Sequence, residues 1–208
     1  MKPILFSTPM VQAILDGRKT MTRRVMKDCT QFDIEESQLL ENTGYNLTHN
    51  YKMSIESVGI FSTKEKLLNW FVAKYSKYQV GDVLWVRETW QNYCLGEPNS
   101  GFIYKASPEL YHWKKESVIW KPSIFMPKEA CRIFLRVTNV RVERLQDITA
   151  HDVFQEGCLP LNSCSLKECS EHAFNWWINL WNSINGKGAW EENQFVFVYE
   201  FQRIEKPC

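Results

Sequence analysis

The chain reads as an α+β domain built on a small curved β-sheet or barrel, with flanking helices and insertions, and three observations lead there. Strand-period segments stand at 83–90, 133–145 and 195–204. The middle one shifts parity, from Ile133, Leu135 and Val137 to Val140 and Val142, as one inserted residue near Asn139 would make it. Segments with helix-capping signatures lie between these strands. A bulged, twisted sheet with helices at its openings accommodates all three.

Near the start, Thr8 and Pro9 read as an N-cap and first helical residue, with Val11, Ile14 and Leu15 on one face and Gly17 as the stop. Residues 18–24 are polar and follow neither period, which predicts a loop or strand edge. Residues 28–80 carry Asp33, Glu35, Glu36, Asn42, Gly44, Asn46 and Asn50, which break any sustained pattern, so they read as an insertion. Inside it, Ser62 and Glu65 form a capping box for a helix over 63–75 that turns Leu67, Leu68, Phe71, Val72 and Tyr75 inward. After Gly81 and Asp82, the residues Val83, Trp85 and Arg87 alternate with Leu84, Val86 and Glu88. Thr149 and Asp152 cap a short helix that stops at Gly157 and leaves Glu156 at its C-terminus. A longer helix, from about Glu168 to Asn185, sets Phe174, Trp177, Ile178, Trp181 and Ile184 at helical spacing. The last strand puts Phe195, Phe197, Tyr199 and Phe201 on one side.

Composition narrows the class. The 208 residues carry 25 Lys+Arg against 24 Asp+Glu, a net charge of +1, which argues against strong nonspecific polyanion binding. With 44% apolar residues and nine Trp, the chain can bury a sizeable core. The amino terminus lacks the apolar run of a secretion signal, and no segment has the roughly 18 apolar residues of a membrane span. A soluble cytoplasmic protein is expected, with its seven cysteines as reduced thiols. Cys158, Cys164, Cys169 and His172 have no C-x-x-C pair among them, so no metal is assigned.

The stretch Gly17-Arg18-Lys19-Thr20-Met21-Thr22-Arg23-Arg24, followed by Gly81-Asp82-Val83-Leu84-Trp85-Val86-Arg87-Glu88-Thr89-Trp90, resembles the ASCH family, whose fold is the PUA-like barrel of RNA-binding domains. Pro122 to Pro127 and Val142 to Thr149 look like the longer, phage- and prophage-associated members. The resemblance implies one domain over 1–208, with insertions at about 28–80, 95–118 and 158–190. It further implies an amidohydrolase like the small bacterial enzymes of the family that act on N4-acetylcytidine. Their Gly-Arg-Lys-Thr-x-Thr motif carries a catalytic lysine onto Lys19 and a threonine onto Thr22. Their glutamate, seven residues beyond a helix-starting threonine, falls on Glu156.

The chemistry suits these residue types. Amide hydrolysis needs a nucleophile, a base and a proton for the leaving nitrogen. Thr22 is weak unless a neutral amine sits beside it, so Lys19 must lose its proton more easily than a free lysine; partial burial and the cations Arg18, Arg23 and Arg24 push that way. Arg23 and Arg24 can also hold a phosphate or a developing oxyanion, and Arg87, Glu88, Trp90, Trp120 and Ser123 are further candidates for substrate binding. Among Trp85, Trp90, Trp113 and Trp120, Trp85 reads as core, while Trp90 and Trp120 stand at element ends where they could stack a base. Arg87 and Glu88 equally suit a buried ion pair. The expected partner is a modified nucleoside or RNA, with no cofactor, membrane or obligate protein partner. A metal-independent ribonuclease and a non-catalytic reader of RNA or modified bases are the competing classes.

Overall fold

A computed structural model of the chain describes residues 1–26, 38–40, 44–51, 54–61, 64–94, 100–107, 118–163 and 165–207. The fold is α+β, and its centre is a five-stranded mixed sheet. This sheet comprises β1 (Lys2–Leu5), β2 (Met21–Val25), β6 (Val83–Arg87), β9 (Phe134–Arg144) and β10 (Phe195–Ile204), in the order β1-β6-β9-β10-β2. Only the β1–β6 pair is parallel. Among the described residues no pairing joins β1 to β2, so no closed barrel forms; instead the Arg24 side chain reaches across and donates to the Leu5 carbonyl at 2.8 Å. Residues 18–24, expected as loop or strand edge, supply the edge strand β2.

The parity shift in β9 is a bulge. Glu200 pairs with Asn139 and the next residue, Phe201, with Val137, so Thr138 is the extra residue that bends the longest strand pair. The bend gives β10 two buried faces. Phe197, Tyr199 and Phe201 join Ile4, Phe6, Val11, Ile14, Leu84, Val86 and Leu135 in one core. Val196 and Val198 join Met21, Leu145, Val153, Trp177 and Trp181 in a second.

The described residues include four α-helices: α1 (Thr8–Leu15), α2 (Lys64–Tyr75), α3 (Ala150–Gln155) and α4 (Leu166–Asn185). The N-cap of α1 is Ser7 rather than Thr8, because Thr8 already has a helical backbone and Pro9 sits one position further in. In α2, Phe71 is fully buried and Leu68, Val72 and Tyr75 half-buried, as the spacing predicts; Ser62 of its expected capping box lies outside the described residues. The expected box at Thr149/Asp152 forms, and a second, at Ser165/Glu168, starts α4. Ala173, Trp177 and Trp181 bury the inner face of α4, whereas Ile184, expected to pack, is 54% exposed in its last turn.

The supposedly patternless 28–80 segment contains a three-stranded antiparallel sheet of β3 (Gln38–Leu40), β4 (Gly44–Tyr51) and β5 (Ser54–Phe61). The strand expected over 83–90 divides at Glu88, where β6 gives way to a hairpin of β7 (Trp90–Cys94) and β8 (Ser100–Tyr104). Among the described residues, no helix is long and apolar enough to cross a membrane. Cys131 and Cys158 are buried free thiols, and burial pushes the Cys158 thiol up to about 11. Cys169, however, is disulfide-bonded, which corrects the expectation that every thiol is reduced. Cys164 lies outside the described residues.

Candidate functional site

The loop after α1 brings two distant segments together. Gly17 turns the chain in the left-handed region (φ +75°), and the Arg18 and Lys19 amides both donate to the Ala13 carbonyl at 2.9 Å. The Thr20 amide then donates to Gln155 O, at the end of α3, and the Phe201 amide to Thr20 O. Gly157, at φ +111°, passes so close that a Cβ there would lie 2.9 Å from the Ala13 Cβ. A glycine is therefore needed on two counts, and it fixes Glu156 beside Lys19.

Lys19 and Glu156 are buried, with side chains 0% and 2% exposed. The Lys19 ammonium donates to Glu156 Oε2 at 2.6 Å, to the Glu156 carbonyl at 2.9 Å and to the Met21 carbonyl at 2.8 Å. It also lies 5.6 Å from the centre of the Phe6 ring. Burial lowers the Lys19 pKa from its ordinary value against the opposing pull of Glu156, and Arg24 and Arg23 lower it further. Arg18 takes no part in this: it donates to Gly157 O and pairs with Asp16.

Alternation along β2 sorts its side chains. Met21 and Val25 pack in the second core and Arg23 lies over Trp177, whereas Arg24 lies over Phe6 on the opposite face, which Thr22 shares. Thr22 is 3% exposed, and its hydroxyl has no hydrogen bond to any described group. All three members of the expected set are thus buried on adjoining segments. Lys19 is bonded to Glu156, while no hydrogen bond yet joins it to Thr22.

Behind Glu156 stands a charged network that sequence reasoning missed. Arg23 is fully buried; it donates to Glu143 from Nε at 3.0 Å and Nη2 at 2.5 Å, to Asp152 at 3.1 Å and to Glu156 Oε1 at 3.4 Å. Arg141 adds contacts to Glu143 at 3.0 Å, to Asp152 at 3.9 Å and to Glu200. Arg23 is consequently occupied by carboxylates rather than open to substrate. Part of the signal was in the sequence, since Asp152 precedes Glu156 by four residues and shares its helix face.

The other expected binding residues gather elsewhere. Glu88, 1% exposed, makes a two-pronged pair with Arg132, both contacts at 2.9 Å, which is the buried ion pair anticipated for it. Trp90 is 6% exposed in a third core with Met126, Ala130, Cys131 and Phe134, edge-on to Phe102, so its faces are packed. Trp85, expected in the core, is half-buried and packs against this third core, with the Arg87 guanidinium over its ring. Arg87 donates to the Ile124 carbonyl. Ser123 starts the short 3₁₀ turn that holds Ile124, and Trp120, half-buried, precedes it. Among the described residues no hydrogen bond, ion pair or ring contact joins any of these to Lys19, Thr22 or Glu156. Trp113 lies outside the described residues. Cys158 and His172 both contact the Leu159 carbonyl, and no group of metal-ligating side chains forms among the described residues.

No family model, curated protein or solved structure matches the chain. What the site can do therefore rests on its own geometry: a buried amine and carboxylate in direct contact, two cations flanking them, and an unbonded hydroxyl on the same edge strand.

Proposed function

We propose that the protein is an amidohydrolase that removes the acyl group from an N4-acylated cytosine nucleoside or base, on an ASCH-type domain whose curved sheet is a PUA-like barrel open between β1 and β2, working in the cytoplasm. The observation that carries this reading is the 2.6 Å contact between Lys19 and Glu156, buried on the segment next to Thr22.

The pair supplies what a threonine nucleophile requires. With all three protons donated, Lys19 rests as an ammonium, and to act as a base it must give one proton up. Glu156 Oε2 is the acceptor at hand, and transfer replaces two buried charges with a neutral amine and a neutral acid, a trade that a water-excluded site favours. Thr22 Oγ then attacks the acyl carbon while Lys19 takes the hydroxyl proton. The resulting tetrahedral adduct collapses, its C–N bond breaks, and the N4 nitrogen leaves with the proton of Glu156. Water then attacks the acyl-Thr22 ester as Glu156 takes its proton, and the C–O bond to Thr22 breaks as Lys19 returns a proton to Thr22 Oγ. The acid leaves as its carboxylate, its own proton passing to solvent, and the proton on Glu156 restores the Lys19 ammonium. Arg23 holds the carboxyl group of Glu156 in line without touching substrate.

The test is incubation with a panel of N4-acylated cytosines, nucleosides and a labelled RNA, read by mass spectrometry. Release of cytidine and acetate from N4-acetylcytidine is the expected result. RNA cut without added metal would establish a nuclease instead, and binding with every compound left intact would establish a reader.

A further inference from the structure

Where β1 and β2 face each other across the open side of the sheet lies a cavity of about 360 Å3, within the ~300–1,000 Å3 range that small ligands occupy. Its lining combines two cations, Arg24 and Lys77, with the rings of Tyr75, Tyr78, Phe197 and Tyr199, and contains no carboxylate. Neither cation has an acidic partner among the described residues. Arg24 spends one N–H on the Leu5 carbonyl, which leaves the rest of its guanidinium fork without a protein acceptor. Burial pulls its pKa down from the ordinary value, and near neutrality only the more distant Glu156 opposes this, because Tyr78 and Tyr199 carry charge only at high pH. Lys77 is exposed at the rim, 5.3 Å from the Tyr78 ring centre.

The tyrosines act as walls. Tyr78 donates its hydroxyl to the Pro3 carbonyl at 2.7 Å, and the Tyr199 hydroxyl bonds to Ser76 Oγ at 3.0 Å. Burial raises the Tyr78 pKa to about 12, so this ring brings no negative charge near neutrality. The cavity consequently offers two positive charges with no carboxylate in its lining. Two charges match a phosphate monoester, which carries about −1.5 to −2 near neutrality, better than a single carboxylate. Tyr78, Phe197 and Tyr199, 4%, 5% and 1% exposed, are packed into the first core and shape the wall rather than offer a stacking face.

We propose that this cavity is a binding site for the phosphate group of a nucleoside monophosphate, held by Arg24 and Lys77. The ligand is either a free nucleotide or the 5′-phosphorylated end of a strand. Both Arg24 and Lys19 lie over the Phe6 ring, at 5.5 and 5.6 Å. Phe6 thus lies between Arg24 at the cavity and the Lys19–Glu156 pair, which does not itself line the cavity; the further consequence, that the amidohydrolase substrate is the N4-acylated nucleotide, rests on the reading above.

The experiment is calorimetric titration of the full chain with cytidine, cytidine monophosphate and a short 5′-phosphorylated RNA, for wild type, Arg24→Gln and Lys77→Met. The proposal expects the monophosphate to bind about tenfold or more tighter than cytidine, a preference that added salt weakens and that both variants lose. The tighter of the two phosphorylated ligands names the source. Equal affinity for cytidine and its monophosphate overturns the proposal, as does an undiminished preference in Lys77→Met, an exposed substitution that leaves the fold intact. Turnover of N4-acetylcytidine and its monophosphate is measured alongside. A phosphate preference in binding with no turnover of either compound sinks the amidohydrolase reading alone; turnover without that preference sinks the phosphate site alone.

Discussion

Replacing Lys19 with methionine keeps most of the side-chain volume and removes only the charge and its three hydrogen bonds. What remains is a Glu156 carboxylate, 2% exposed, whose nearest cation is Arg23 at 3.4 Å, together with two main-chain carbonyls stripped of a donor. Breaking a buried pair by deleting one partner costs about 3–5 kcal/mol, chiefly because the other charge stays desolvated. For a chain of this size each kcal/mol lowers the melting temperature by about 2–4 °C, so Lys19→Met is expected to melt roughly 6–20 °C below wild type at pH 7. The double variant Lys19→Met/Glu156→Leu removes both charges and should recover part of that loss. Urea denaturation of wild type, both single variants and the double variant gives the coupling energy directly. A Lys19→Met protein as stable as wild type, or a double variant whose loss equals the sum of the two single losses, would refute the reasoning.

Other consequences are open to the same scrutiny. Gly157→Ala puts a Cβ 2.9 Å from Ala13 Cβ at a φ of +111°, and should cost more than the roughly 1 kcal/mol of an unstrained glycine replacement; chemical denaturation measures it. Thr149→Ala removes the side-chain acceptor for the Asp152 amide and should cost about 0.5–2 kcal/mol, while Thr149→Ser should cost little. Asp152 is held below its ordinary value: partial burial opposes this, but the Thr149 amide and Arg23 outweigh it. Its contribution is therefore present above about pH 3.8 and lost as pH falls through the lowered folded value, so Asp152→Asn should flatten the acid limb of a stability profile. The mechanism uses one proton shared between Lys19 and Glu156, so kcat/KM should fall as pH rises through the lowered Lys19 pKa, at a midpoint below 10.5, where the pair loses the proton that N4 must receive; activity that climbs across that limb would contradict the assignment.

Elements that rest on local rules were legible in the sequence. The cap at Thr149, the bulge next to Asn139 and the aromatic face of β10 each follow from a few neighbouring residues, and each formed within a residue or so of its expected place; the cap at Ser165 was not anticipated, and its helix starts two residues before the expected Glu168. The misses are non-local. The polar run Arg18 to Arg24 looks solvated in sequence because its neutralising carboxylates, Glu143, Asp152 and Glu156, stand more than a hundred residues away. β3 to β5 were hidden because their asparagines and glycine obscure a period-2 pattern. Trp90 read as available for stacking because nothing nearby in the chain announces Met126, Ala130 or Phe134 around it. Strand closure is likewise a property of distant edges, and here β1 and β2 remain unpaired.

The most direct measurement is kcat/KM for N4-acetylcytidine with wild type, Thr22→Ser, Thr22→Ala and Lys19→Arg, each first shown to be folded. The account predicts that the serine variant, which retains a hydroxyl, stays active, while the alanine and arginine variants, lacking a nucleophile and a base that can release its proton, fall by about a hundredfold or more. Wild-type turnover that survives both Thr22→Ala and Lys19→Arg unchanged would contradict it.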